Sequence, residues 1–242
     1  MNQMKTDAPR YRTPPSWVVM GFLVLGVMAV GAAFLLPVPK RLDPASAIPV
    51  VQPPQYPDAP FFQLTERNGQ EISTADLDGK VWIASFQFTR CKYCPNVSAT
   101  LAKLQKEIDL ANRDDVRFVT FTIDPEYDTP DELKKYADNF RADPKKWWFL
   151  TGKEKYVHLL ANRGFLVAAS KNLAAPVNMR FDHTLKLLLV DKLGHIRGTF
   201  DGMIGEPTPE QNTTDADLAL LKQKYDDSYA DLKKQIELLT KK

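Results

Sequence analysis

The chain is poor in the residues that most often carry chemistry, with 2 cysteines and 3 histidines among 242 residues. One cysteine pair is no framework of staples, and a domain of this length builds a sufficient core without one. It also lacks a charge imbalance: 32 basic residues face 30 acidic ones, for a net charge of +2, and no Lys/Arg run reaches the length of a polybasic patch. That excludes a nucleic-acid footprint and a channel for acidic substrates, so no nucleic-acid partner is expected. No internal repeat and no low-complexity tract is present, which excludes solenoid and array architectures.

What is present begins with residues 17–36, "WVVMGFLVLGVMAVGAAFLL", which contain neither a charge nor a proline. At about 1.5 Å per residue, twenty residues span about 30 Å, the thickness of a bilayer core. Lys5, Arg10 and Arg12 precede the run against one acid, Asp7. This bias sets a cytoplasmic N-terminal arm over 1–16 and an exported C-terminal part, blunted by Lys40 and Arg41 on the far side. The rival is a cleaved signal peptide, since Ala45-Ser46-Ala47 matches the small-residue cleavage pattern. The apolar run is longer than a signal core of about 7–15 residues, and Pro37, Pro39 and Pro44 separate it from the match, so an uncleaved anchor is the expectation.

Residues 37–60 hold eight of the 18 prolines. Such a segment cannot sustain a helix, and 37–59 reads as a semi-rigid linker ahead of one domain over 60–242. Within the domain, Asn68-Gly69 marks a hairpin. The continuous apolar runs 81–88 and 116–123 read as buried strands. Val97, Leu101, Leu104, Ile108 and Ala111 fall on one helical face. Thr129-Pro130-Asp131-Glu132 reads as a capped helix start, and 154–164 as a short helix stopped by Gly164. Residues 185–202 read as two strands turning at Gly194. From Thr214 on, Leu218, Leu221, Tyr225, Leu232, Ile236 and Leu239 mark a long amphipathic helix. This order predicts a thioredoxin-like fold, an α/β arrangement with a central mixed sheet flanked by helices.

Cys91 and Cys94 then fall between a strand's carboxyl end and a helix N-terminus, where ligand sites of open α/β sheets cluster. A bridge closing so small a loop adds little stability, which disfavours a structural disulfide. Unpaired N–H groups and the helix dipole lower thiol pKa values there, leaving redox exchange and metal binding. A third ligand would separate the two. His158 and His195 are expected at the surface. His183, in "RFDHTLKLLLV", lies just before a strand that neighbours the cysteine-bearing one. Dithiol oxidoreductases of this fold keep a cis-proline at that entry, where this chain has Asp182-His183-Thr184. The alternative for His183 is a strand-capping residue with a local hydrogen bond. Two thiolates and one imidazole suit Cu(I) at low coordination, or Zn(II) with a fourth ligand for which the sequence offers no candidate. Phe86, Phe88, Trp147 and Trp148 are read mainly as core, with one of the adjacent tryptophans able to face out.

These residues resemble the SCO/SenC family of copper-binding cytochrome oxidase assembly factors. The likeness runs from "FFQLTERNGQEISTADLDGKVWIASFQFTRC" through "VTFTIDPEYDTPDELKKYADNF" and "WWFLTG" to "FDHTLKLLLVDKLGHIRGTFDG". It implies that Cys91, Cys94 and His183 bind copper, as Cu(I) with Cu(II) left open. It implies delivery of the copper to the binuclear site of cytochrome c oxidase subunit II, or reduction of the cysteines there. An upstream copper donor or thiol reductant is then a further partner. The N-terminal arm is not Arg-rich as a transit peptide would be, so a bacterial inner membrane with a periplasmic domain is the expected location. Asp124 would sit near the metal, or would cap the turn before Pro125. The family's usual pattern has three residues between its cysteines; this chain has two, Lys92 and Tyr93, which is the spacing of dithiol exchange and keeps a thiol–disulfide oxidoreductase as the alternative. Cys91 would then be the nucleophile and Cys94 the resolving thiol.

Overall fold

A computed structural model describes residues 56–203 and 214–241 of the chain. The anchor expected at 17–36 and nearly all of the linker expected at 37–59 lie outside the described residues.

The centre of the fold is strand β3 (Val81–Gln87), with all seven residues buried. It is buried on both faces because both of its edges are paired and each face is covered. Strand β4 (Val116–Thr122) runs parallel to it in register from Val81–Val116 to Gln87–Thr122, and β8 (Lys186–Val190) runs antiparallel on its other edge. With β1 (Gln63–Glu66), β2 (Glu71–Ser73), β5 (Trp147–Thr151) and β9 (Ile196–Asp201) the order is β2-β1-β5-β4-β3-β8-β9. A separate antiparallel pair, β6 (Ala169–Lys171) with β7 (Phe181–His183), stands apart from this sheet. The expected mixed sheet is thus found.

Side chains alternate across β3. Trp82, Ala84 and Phe86 join Phe62, Phe121 and Phe165 in one core, while Val81 and Ile83 join Leu101, Phe118, Leu232 and Ile236 in the other. The first core continues into Phe88, Cys91 and Cys94, so the thiols extend a packed aromatic layer. Phe86 stacks on Phe121 with centroids 5.0 Å apart, and Phe62 meets Phe121 edge-on at 5.1 Å. Trp147 is buried and Trp148 half-buried, as alternation on a strand requires.

Helix α1 (Cys94–Glu107) starts with Pro95 in its first turn, where no N–H is lost, and buries Val97, Leu101 and Leu104. It ends earlier than the apolar spacing predicts: Asp109 takes a left-handed φ of 54°, and Ala111 is exposed in the short turn that follows. Helix α2 (Pro130–Asn139) is capped as expected, the Thr129 hydroxyl accepting the Glu132 N–H. The Glu132 carboxylate pairs with Lys135 instead of closing back on the cap. Helix α3 (Glu154–Leu159) passes into a wider turn over Leu160–Gly164. Helix α4 (Asp215–Thr240) opens on a reciprocal Thr214–Asp217 cap and buries Tyr229, Leu232 and Ile236. In the β1–β2 hairpin Gly69 alone adopts positive φ, at 87°, while Asn68 does not, so the turn is wider than an Asn-Gly pair predicts.

Candidate metal centre

At the carboxyl end of β3 the chain turns back on itself, the Cys91 N–H donating to the Phe88 carbonyl at 3.0 Å. Three residues later Cys94 opens α1, and the N–H groups of Tyr93 and Cys94 point at the Cys91 sulfur, at 3.3 and 3.0 Å. These are amides that a helix start leaves unpaired, so one sulfur receives donors that the backbone cannot use. Both cysteines are free and buried.

His183 arrives from the β6–β7 pair. The Lys92 N–H donates to the Asn178 carbonyl at 3.0 Å, joining the thiol loop to the turn that leads into β7. The ring packs edge-on against Phe88, with centroids 5.5 Å apart. Its Nδ1 lies 3.0 Å from the Phe86 carbonyl and 2.9 Å from that of Thr184. Carbonyls only accept, so Nδ1 carries a proton, and Nε2, which faces the sulfurs, is the nitrogen a metal would take. Phe86 lies past the last β3–β8 pair, Ala84–Leu188, where a carbonyl is available to this ring.

Nε2 lies 3.4 Å from Cys91 Sγ and 3.6 Å from Cys94 Sγ. All three donor atoms are within 4.8 Å of one another, and this is the one such group of three or more His, Cys, Asp or Glu residues found among the described residues. A three-coordinate ion with bonds of about 2.0–2.3 Å separates its donors by about 4 Å, so the cluster has the right size for one ion. Soft sulfur with imidazole, and no fourth donor in the group, fits Cu(I) better than tetrahedral Zn(II).

The sequence pattern predicts lowered pKa values at both thiols; the structure separates them. Cys91 is lowered from 9.0 to about 5, chiefly because the Cys94 thiol donates to it, with His183 and the Tyr93 amide adding to this against the cost of burial. Cys94 moves the opposite way, well above the usual thiol range, because it is more deeply buried and shares its proton with Cys91. The coupled pair therefore favours one thiolate only.

Asp124 is buried and forms an ion pair with Arg90 at 2.5 Å; it is not in the donor cluster. Arg90, next to Cys91, also lies over the Tyr127 ring, 3.9 Å from its centroid. Asp128, which the sequence pattern leaves unmarked, is fully buried and accepts hydrogen bonds from Thr89 and Thr122. Burial pushes it above its ordinary value, against the pull of those donors. The one signal for it was its place in the Asp-Pro-Glu-Tyr-Asp stretch. His158, expected at the surface, is half-buried, its Nε2 2.8 Å from the Ile123 carbonyl and its ring edge-on to Phe181. His195 is half-buried and pairs with Asp58 at 2.5 Å.

Residues 52–215 match the family model SCO1/SenC, and this is more than half of the chain. The chain belongs to the SCO1/SenC family. Among curated SCO relatives, the SCO1 protein homologue of Bacillus subtilis is 41% identical over 92 residues, 38% of this chain and 47% of that protein, so the match spans about half the length of that relative. The structure of BsSco, a member of the Sco family of cytochrome c oxidase assembly proteins in which a disulfide switch was identified, is 28% identical. It superposes with a TM-score of 0.54 over 75% of this chain and 95% of that one. The ScoI of Bradyrhizobium japonicum, solved with copper bound, is also 28% identical, with a TM-score of 0.50 over 69% of this chain and 99% of that one. The mixed α/β fold of this SCO1/SenC chain matches the thioredoxin-like Sco structures. The two-residue spacing between its cysteines does not prevent both sulfurs from facing Nε2.

Proposed function

We propose that the protein is a membrane-tethered copper carrier. It holds one Cu(I) through Cys91 Sγ, Cys94 Sγ and His183 Nε2, and passes it to the binuclear copper site of cytochrome c oxidase subunit II. The observation that carries this reading is the convergence of two sulfurs on one imidazole nitrogen whose other nitrogen is held by main-chain carbonyls. Support comes from relatives of the same family: one was solved with copper bound, and another is a cytochrome c oxidase assembly protein.

Copper is the cargo. Cys91 receives it as a thiolate, Cys94 gives up its proton as its sulfur binds, and His183 contributes a lone pair without any change of tautomer. Three donors leave one side of a Cu(I) ion open to an incoming thiolate or imidazole from the receiving protein, so transfer proceeds by exchange of one ligand at a time. The apolar run at 17–36 is the proposed anchor, which keeps the domain at the periplasmic face of a bacterial inner membrane beside the oxidase. That run lies outside the described residues; among the described residues no helix is long and apolar enough to cross a membrane.

The test is copper stoichiometry of the reduced chain beside its His183→Ala, Cys91→Ser and Cys94→Ser variants. One Cu(I) per wild-type chain is expected, with affinity lowered by more than about 100-fold in each variant, beyond the effect of losing an outer hydrogen-bond partner. Equal copper content in wild type and His183→Ala overturns the reading.

The divided acidity of the two thiols favours a second activity at the same site, thiol–disulfide exchange. Cys91 thiolate attacks a partner disulfide, forming a mixed disulfide and releasing one partner thiolate. Cys94 loses its proton and attacks Cys91 Sγ, closing the Cys91–Cys94 bond and releasing the second. The partner gains the two electrons that the pair loses, and an upstream dithiol restores the pair. Retention of this exchange in His183→Ala, with copper lost, separates the two activities.

A further inference from the structure

Asp128 takes no part in the chemistry described so far, yet it is fully buried and two of its polar contacts are with Thr89, inside the turn that delivers Cys91. Its Oδ2 accepts the Thr89 N–H at 3.0 Å and the Thr122 hydroxyl at 2.5 Å, and its Oδ1 accepts the Thr89 hydroxyl. The Thr122 hydroxyl accepts the Asp124 N–H at 3.1 Å, so its own proton is directed at Asp128. The Asp128 N–H in turn donates to the Asp124 carbonyl at 2.8 Å. One carboxylate thus joins three pieces of chain: the last residue of β4, the turn 124–128, and Thr89 inside the turn that delivers Cys91.

Thr89 matters because of its position. The turn runs from Phe88 to Cys91 and is closed by the Cys91 N–H on the Phe88 carbonyl. Its first inner residue is held at both backbone N–H and side-chain O–H by one carboxylate, so the turn cannot rotate without breaking two partly buried hydrogen bonds. Asp124, by contrast, spends its carboxylate on Arg90. We infer that Asp128 is a positioning residue of the metal centre: by clamping Thr89 it fixes the direction in which Cys91 Sγ leaves the turn, and so the meeting of Cys91 Sγ with Cys94 Sγ and His183 Nε2.

The inference rests on the copper-carrier reading for its copper measurement only, since Cys91 reactivity reads the same geometry without metal. The experiment compares the reduced full chain with Asp128→Ala, Asp128→Asn and Thr89→Val. It uses Cu(I) competition against a chromophoric chelator and the alkylation rate of Cys91 by iodoacetamide, with circular dichroism to confirm folding. Asp128→Ala is expected to lose about 10–100-fold in Cu(I) affinity, as outer hydrogen-bond partners of metal ligands do, and to change the alkylation rate by more than about threefold. Asp128→Asn, which keeps one acceptor oxygen, recovers part of both losses. Thr89→Val shifts both in the same direction by less. A folded Asp128→Ala with both readouts within about twofold of wild type overturns the inference, as does an Asp128→Asn with no recovery. If Asp128→Ala does not fold, Thr89→Val decides: a shift supports the clamp and wild-type values refute it. If the wild type takes up no copper, the carrier reading fails, and the alkylation rates alone decide the role of Asp128.

Discussion

At the residue scale the centre is built from an inequality between two identical side chains. Cys91 collects two backbone N–H groups and the proton of Cys94, whereas Cys94 is sealed in the core. Because the folded state holds Cys91 at about 5 instead of 9.0, its ionisation stabilises the fold fully above pH 9, and that contribution is lost as pH falls through about 5. In the reduced, metal-free chain, alkylation followed by mass spectrometry should modify Cys91 at a rate that stays flat through neutral pH and halves near pH 5. Cys94 should lag at every pH in that range. A Cys91 midpoint near the ordinary thiol value contradicts the asymmetry.

The same scale shows what a one-dimensional pattern can and cannot hold. Cys91, Cys94 and His183 were legible because each sits at a marked place: a helix start, and a strand entry where this fold otherwise keeps a proline. The division of acidity between the thiols was not, since it depends on which sulfur the amides point at. Nor was Asp128. Two aspartates four residues apart look alike in sequence, and only the fold assigns one to an arginine and the other to a buried pair of threonines.

At the scale of elements, the sheet and its helices follow from local chemistry. Runs of apolar residues without polar alternation predicted β3 and β4, and both are central strands with covered faces. Boundaries were less legible, because the chain leaves α1 through a left-handed aspartate, a conformation that apolar spacing does not encode. Two substitutions test the energetic reading. Thr129→Ala removes a cap from α2 and should lower unfolding free energy by about 1 kcal/mol in urea titration. Phe121→Ala opens a void among Phe62, Phe86 and Phe165 and should cost about 3–5 kcal/mol. Phe86, stacked on that ring, lends its carbonyl to His183, so the second variant should also weaken copper binding.

For the molecule as a whole, the proposed work requires a tether and a free face. If residues 17–36 form the anchor, the full chain should sediment with membranes and resist alkaline carbonate, and deletion of 1–36 should move it to the soluble fraction. Recovery of the intact chain in the soluble fraction contradicts the anchor. That expectation rests on length and charge alone, since a run of apolar residues is read against bilayer thickness and needs no tertiary context.

The imidazole at the centre is steered by the carbonyls of Phe86 and Thr184, which every amino acid possesses. Its aim is therefore indifferent to the identity of the side chains at those two positions, as long as the main-chain path is kept. Sequence drift at either position can alter packing without erasing the hydrogen bond itself, which gives the histidine a mutational robustness that a carboxylate partner would lack.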